Sequence, residues 1–297
     1  MTGHLQVLSL PDGQTAGKRL AQVLNCDHAS IASRRFPDGE SYLRLPPDLA
    51  GSEVVLACTL ADPDPKLASL LFAADAAREL GAARVGLVAP YLAYMRQDKR
   101  FAPGEAITSR TFAKVLSRAF DWLITVDPHL HRYAGLDEIY DMPTSVVHAA
   151  PRLGAWAKTN VAKPLIIGPD AESEQWVTEV ARAAGAPHVV LAKQRSGDRD
   201  VRIEMPNLSG FRGCQPVLVD DIASSGRTMI EAARNLRAAG FVDPICLVVH
   251  PLFAGDAYPE IQQVAAAVIS CDTVPHVTNG ICLAEDIASA VVRLCAR

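Results

Sequence analysis

Short apolar runs separated by longer alanine-rich stretches recur along the whole chain, and this alternation constrains the fold more than any other feature. The runs at 6–10, 54–59, 85–89, 123–126, 165–167, 188–191, 217–219, 245–249 and 267–270 are rich in Val, Ile and Leu and read as buried strands. The stretches at 66–80, 109–119, 174–184, 228–239 and 287–296 read as helices. Within 228–239, Met229, Ala232, Ala233 and Leu236 fall at i, i+3, i+4 and i+7, and Gly240 follows as a stop signal. Apolar strand-like runs alternating with helices predict an α/β fold with mostly parallel sheets flanked by helices.

The pattern also repeats at about half the chain length. Ala77-Arg78-Glu79-Leu80-Gly81-Ala82-Ala83 leads into the run at 85–89, as Ala233-Arg234-Asn235-Leu236-Arg237-Ala238-Ala239-Gly240 leads into 245–249. The run at 123–126, followed by Asp127-Pro128-His129, is echoed by Val268-Ile269-Ser270-Cys271-Asp272, with Pro275-His276 beyond. Two similar α/β domains, 1–145 and 146–297, account for these echoes, with the last helix able to pack back on the first domain.

With 297 residues, 49% of them hydrophobic, the chain has ample material for buried cores. A net charge of −4 argues against a duplex-binding protein, which usually carries a basic face; it leaves room for anionic small substrates held by local Arg and Lys. Seven cysteines are scattered without any C-x-x-C pair, and they read as buried thiols in a reducing cytosol rather than metal or redox centres. The N-terminus lacks a charged n-region and no stretch approaches membrane-spanning length, so a soluble cytoplasmic protein is expected.

The chemistry concentrates where the run at 217–219 meets Asp220 and Asp221. Ser224, Ser225, Gly226, Arg227 and Thr228 follow, and then a helical pattern. Strand ends in open α/β sheets face the ligand crevice, so the two carboxylates are expected at the carboxyl edge. There they can accept hydrogen bonds from vicinal sugar hydroxyls or hold Mg²⁺ through water. The short loop offers backbone N–H and hydroxyl donors at a helix N-terminus, where phosphate is favoured. Together these make a site for a phosphorylated sugar.

This segment resembles the phosphoribosyl-binding loop of the type I phosphoribosyltransferase fold, and further motifs resemble the ribose-phosphate pyrophosphokinase family. Phe36-Pro37-Asp38-Gly39-Glu40, the Pro90–Arg100 run with Arg96-Gln97-Asp98, Pro103-Gly104-Glu105, Asp127-Pro128-His129 and Lys193-Gln194-Arg195 occur in the family's order, covering most of the chain from Phe36 onward. The resemblance implies two phosphoribosyltransferase-like domains. It also implies transfer of the diphosphoryl group of Mg-ATP to the anomeric hydroxyl of ribose 5-phosphate, giving PRPP and AMP.

On the same resemblance, Phe36, Asp38, Glu40, Arg96, Gln97 and His129 contact ATP, and His129 and Asp170 serve Mg²⁺. Asp220, Asp221, Ser224, Ser225, Gly226, Arg227 and Thr228 hold ribose 5-phosphate. Lys193 and Arg195 clamp the transition state from a polar loop continuing through 196–200. Because the family's 36–40 segment reaches into a neighbouring subunit's site, at least a homodimer is implied. His129 and His131 invite a metal reading, but further ligands at suitable spacing for a dedicated transition-metal site are missing.

Two departures from the family pattern stand out. Where the family carries Ser-Pro-Asp-x-Gly-Gly, this chain reads Gly168-Pro169-Asp170-Ala171-Glu172-Ser173. Glycine lets backbone approach phosphate closely, so Glu172 and Ser173 predict a variant diphosphate loop. The segment Phe101-Ala102 is short, as in archaeal-type members. Two other readings stay open: a non-catalytic regulatory relative that assembles with an active synthetase, and a phosphoribosyltransferase that consumes PRPP.

Overall fold

The computed structural model describes residues 4–170, 173–196, 200–204 and 206–296. They form two compact units, Met1–Val147 with Ala284–Arg297, and His148–Leu283.

The first unit contains β1 (Leu5–Ser9), α1 (Gln14–Leu24), β2 (Asp27–Ser30), β3 (Ala32–Arg35), β4 (Ser41–Arg44), β5 (Glu53–Ala57), α2 (Asp64–Glu79), β6 (Arg84–Val88), α3 (Thr108–Ala119), β7 (Trp122–Val126) and β8 (Thr144–Val147). Six strands make one sheet in the order β2-β1-β5-β6-β7-β8, with every pairing parallel. β3 and β4 form a separate antiparallel hairpin. Leu8, Leu56, Leu87 and Leu123 from the sheet pack with Leu70, Ala74, Phe112 and Leu116 from the helices.

The second unit contains α4 (Ala150–Asn160), β9 (Pro164–Gly168), α5 (Glu174–Ala184), β10 (His188–Val190), β11 (Ala192–Ser196), β12 (Asp200–Glu204), β13 (Gln215–Ala223), α6 (Arg227–Ala238), β14 (Ile245–Pro251), α7 (Ala257–Gln262), β15 (Ala267–Cys271) and β16 (Asn279–Ile281). Its sheet runs β10-β9-β13-β14-β15-β16, again all parallel. β11 and β12 pair as a hairpin. Ile167, Leu218, Cys246 and Val248 pack with Met229, Ala233 and Leu236. The chain closes with α8 (Ala284–Cys295), which lies against α1, β7 and β8 of the first unit.

The expected α/β architecture with parallel sheets is therefore observed, and the strand order is the same in both units. The sequence echoes fall on equivalent elements: α2–β6 matches α6–β14, and β7 matches β15. The two hairpins also match, so the Phe36 segment and the Lys193 segment occupy the same insertion point, after the second strand of each unit.

The structure corrects one local expectation. The strand read at 217–219 continues to Ala223, so Asp220 and Asp221 lie within β13 rather than after it. Pairing persists because β14 runs alongside to Pro251, with Asp220 opposite Val248 and Ile222 opposite His250. A backbone ladder does not need apolar side chains to continue.

Several elements carried no clear apolar signal. β3 is exposed along its length, and α4 starts at Ala150-Pro151 without a capping side chain. Cys58, Cys246 and Cys271 are buried as expected, whereas Cys282 is exposed and Cys26, Cys214 and Cys295 are half-buried. Among the described residues no helix is long and apolar enough to cross a membrane.

Candidate functional site

In the second unit, β13 delivers Asp220 and Asp221 side by side, both half-buried. Each carboxylate turns back on the chain: Asp220 Oδ1 accepts from the Asp221 N–H at 3.0 Å and Asp221 Oδ1 from the Ile222 N–H at 2.8 Å. Burial, reinforced by the negative charges of Asp221 and Asp170, pushes the Asp220 carboxyl well above the ordinary carboxylate range. Asp170 lies in the segment that follows β9, whereas the aspartate pair is on β13. The segment after β9 and the adjacent strand β13 thus bring three carboxyl groups into electrostatic range.

Beyond Ala223 the chain bends through Ser224 and exposed Ser225 to buried Gly226. Gly226 adopts a left-handed φ of 66°, which only glycine takes without strain, and a Cβ there would meet Ile261 Cδ1 at 2.7 Å. It also stands at the N-terminus of α6 with no side-chain cap. The first-turn N–H groups of an α-helix lack intrahelical acceptors, and a phosphate can receive them. Two backbone bonds brace this turn from behind: Phe253 N–H to Ala223 O at 2.8 Å and Ala254 N–H to Ser224 O at 3.0 Å. Arg227 is exposed and Thr228 half-buried in the helix's first turn.

Asp170 is half-buried, and its carbonyl accepts from both the Ser173 hydroxyl at 2.6 Å and the Ser173 N–H at 3.2 Å. Ser173 has φ −85° and ψ −3°, an ordinary right-handed conformation, so its position makes no demand for glycine. Glu172 lies outside the described residues, as do residues 197–199 of the polar loop. Lys193 and Arg195 belong to β11, paired with Ile203 and Val201; the clamp assigned to their side chains lies outside what is described.

In the first unit, Arg96 and Gln97 sit in the loop after β6, and His129 in the loop after β7, both at the carboxyl edge of the sheet. These loops are tied together. Buried Asp98 receives Arg132 Nη1 at 2.7 and 2.9 Å, and its carbonyl accepts the Tyr133 hydroxyl at 3.2 Å. Arg132 and Tyr133 were not singled out from sequence; their only signal there was closeness to His129. Arg96 is exposed, Gln97 and His129 are half-buried, and the His129 and His131 rings stand edge-on at 4.0 Å. Asp127, which leads into Pro128-His129, holds a φ of 31°, a strained conformation of a kind that collects at functional sites.

The Phe36–Glu40 segment is the tip of the β3–β4 hairpin. The Phe36 N–H donates to Glu40 O at 2.8 Å, and the Gly39 N–H to Phe36 O at 2.9 Å. Phe36, Asp38 and Glu40 are exposed. The Arg34 guanidinium lies 4.5 Å from the Phe36 ring centroid and 4.4 Å from that of Tyr42. The hairpin is tied to α2, where Arg35 Nη2 donates to Pro65 O at 3.2 Å.

Among the described residues no three His, Cys, Asp or Glu side chains form a ready-made metal cage. Mg²⁺ does not require one, because it is usually held by one or two carboxylates, water and substrate phosphates. The mutual repulsion of Asp170, Asp220 and Asp221 fits a divalent cation, whose charge would relieve it.

Comparison with known proteins agrees across the chain. Residues 5–119 match the N-terminal domain of ribose phosphate pyrophosphokinase, and residues 136–286 match the phosphoribosyl transferase domain. A ribose-phosphate pyrophosphokinase of Methanopyrus kandleri is 36% identical, covering 97% of this chain and 99% of that protein. Those of Halobacterium salinarum and Methanosarcina acetivorans are 32% and 31% identical, covering 96% and 98% of this chain and all of each relative. The crystal structure of phosphoribosylpyrophosphate synthetase from Mycobacterium smegmatis superposes with a TM-score of 0.84 over 98% of both chains at 22% identity, a likeness of fold.

Proposed function

Because this chain belongs to the ribose-phosphate pyrophosphokinase family of enzymes, we propose that it transfers the diphosphoryl group of Mg-ATP to the anomeric hydroxyl of ribose 5-phosphate. The anomeric oxygen attacks the β-phosphorus, the bond from the β-phosphorus to the α-phosphate's bridging oxygen breaks, and AMP leaves as PRPP forms. The observation that carries this reading is the β13–α6 turn. It sets two adjacent carboxylates, a left-handed glycine and an uncapped helix N-terminus in one short segment. That combination recognises a sugar phosphate: Asp220 and Asp221 accept the ring hydroxyls, while Ser224, Ser225, Gly226, Arg227 and Thr228 receive the 5-phosphate.

The nucleotide falls to the first unit. Arg96, with Gln97 and His129, faces the phosphates, and Phe36, Asp38 and Glu40 contact the adenine and its ribose. Phosphoryl-type transfers are catalysed mostly by positioning and by charge stabilisation. Lys193 and Arg195 are the cations for the charge that builds on the transferring group. Asp170 in the second unit and His129 in the first are the candidate Mg²⁺ contacts, and the ion would supply charge neutralisation of the diphosphate. The same reading makes the enzyme a cytoplasmic homo-oligomer in which the exposed Phe36 tip serves a neighbouring copy.

Purified protein given ATP and ribose 5-phosphate should release AMP without any added subunit. Ribose 1-phosphate, or no sugar, should give none. Silence with ribose 5-phosphate, restored only by a second protein, would favour the regulatory reading, which the altered loop at Glu172 and Ser173 motivates. A requirement for a nucleobase and PRPP in place of ATP would favour a phosphoribosyltransferase.

A further inference from the structure

We infer that Ser173 is a positioning residue for Asp170, and that Gly168, Ser173 and Val177 form one reciprocal packing unit that replaces the family's loop glycine. The inference rests on the proposed role of Asp170 toward the Mg²⁺-bound diphosphate. Gly168 closes β9 and is buried. A Cβ on it would lie 2.4 Å from Ser173 Oγ and 2.7 Å from Val177 Cγ2, closer than real Cβ atoms approach anything. Glycine at 168 therefore provides space, and the Ser173 hydroxyl takes it up.

From that space the hydroxyl donates to Asp170 O at 2.6 Å, while the Ser173 N–H donates to the same oxygen at 3.2 Å. Two donors on one carbonyl anchor the Asp170 backbone from which its side chain projects. The family pattern given above has Ser at the position of Gly168 and Gly at the position of Ser173. In this chain the two are exchanged. A serine Oγ on residue 168 would stand one bond beyond a Cβ that is itself 2.4 Å from the present Ser173 Oγ. The same hydroxyl is thus delivered from the helix side of the loop instead of the strand side. Ser173 acts on Asp170 through the backbone, with the bound diphosphate as the beneficiary.

The test follows AMP release by the full-length protein against free Mg²⁺ concentration. Ser173→Ala, which adds no atoms, should raise the Mg²⁺ needed for half-maximal rate and lower kcat/KM for ATP by roughly tenfold. The KM for ribose 5-phosphate should stay within about twofold. Gly168→Ser alone should lose more, together with melting temperature, because its side chain meets both neighbours. Gly168→Ser combined with Ser173→Gly and Val177→Ala empties that space and should recover to within about threefold of wild type.

An exchange variant that melts cooperatively yet is no better than Gly168→Ser overturns the inference. So does a Ser173→Ala protein with wild-type Mg²⁺ dependence, even where the exchange variant fails to fold. Wild-type protein without AMP release would overturn the proposed reaction and the positioning role with it.

Discussion

Asp220 shows how a proposed binding residue is placed against its own preference. Burial first, then the negative charge of Asp221, raises its carboxyl above the ordinary range. A carboxyl raised in the folded state contributes stability that is complete in acid, below the ordinary carboxylate value. That stability is lost as pH climbs through the raised folded value. Ionising Asp220 in the ligand-free protein is therefore unfavourable, and a bound cation or sugar hydroxyls would offset that cost. We predict that Asp220→Asn melts about 2–4 °C higher than wild type at pH 7 without Mg²⁺, by calorimetry. The gap should narrow when Mg²⁺ and ribose 5-phosphate are added, and turnover should be lost; a lower melting point would contradict this account. Lys193→Ala is the complementary case. A cation acting only on transition-state charge should cost roughly a hundred- to thousand-fold in kcat, with the KM for ribose 5-phosphate nearly unchanged; steady-state kinetics decides.

Among the elements, the central strands were legible because fully buried strands leave continuous apolar runs. The β3–β4 hairpin was not, since β3 is exposed along its length and so has no buried face to imprint a period-2 pattern. Even in the central strands, sequence cannot show which residues face each other. Gly86 of β6 is paired with Trp122 of β7, and a Cβ on Gly86 would fall 1.9 Å from Trp122 Cε2. The indole is fully buried and its Nε1–H donates to Glu53 Oε1 at 2.7 Å, so it cannot move aside cheaply. Gly86→Ala should therefore destabilise the first unit by about 3 kcal/mol or more. Urea titration followed by tryptophan fluorescence measures it, and adding Trp122→Phe should recover part of the loss.

For the whole molecule, the two units share a strand order, and each is completed by a helix that follows the other unit's last strand. α4 follows β8 of the first unit but packs on α5 and β16 of the second, while α8 follows β16 but packs on α1, β7 and β8. The buried Ile287, Val291 and Leu294 of α8 each contribute about 1.5–3 kcal/mol of apolar burial. A chain ending at Leu283 should thus lose the protection of β7 and β8 in hydrogen exchange while the β9–β14 core keeps its own. Expressing 284–297 fused after residue 147 through a flexible linker should restore a protease-resistant first unit; equal protection in the truncated chain would rule this out.

Local pattern sufficed for the α/β class, the parallel sheets and the family, because apolar periodicity and short motifs are properties of neighbours along the chain. Part of the proposed site could be read the same way, since the β13–α6 turn is one continuous segment whose chemistry is contiguous in sequence. Tertiary structure alone decided the rest. It drew Asp170 into the field of Asp220, joined Asp98 to Arg132 across two loops and let Ser173 fill the space left by Gly168. Those relations depend on which backbones approach one another after folding, and a linear spacing carries no record of that distance.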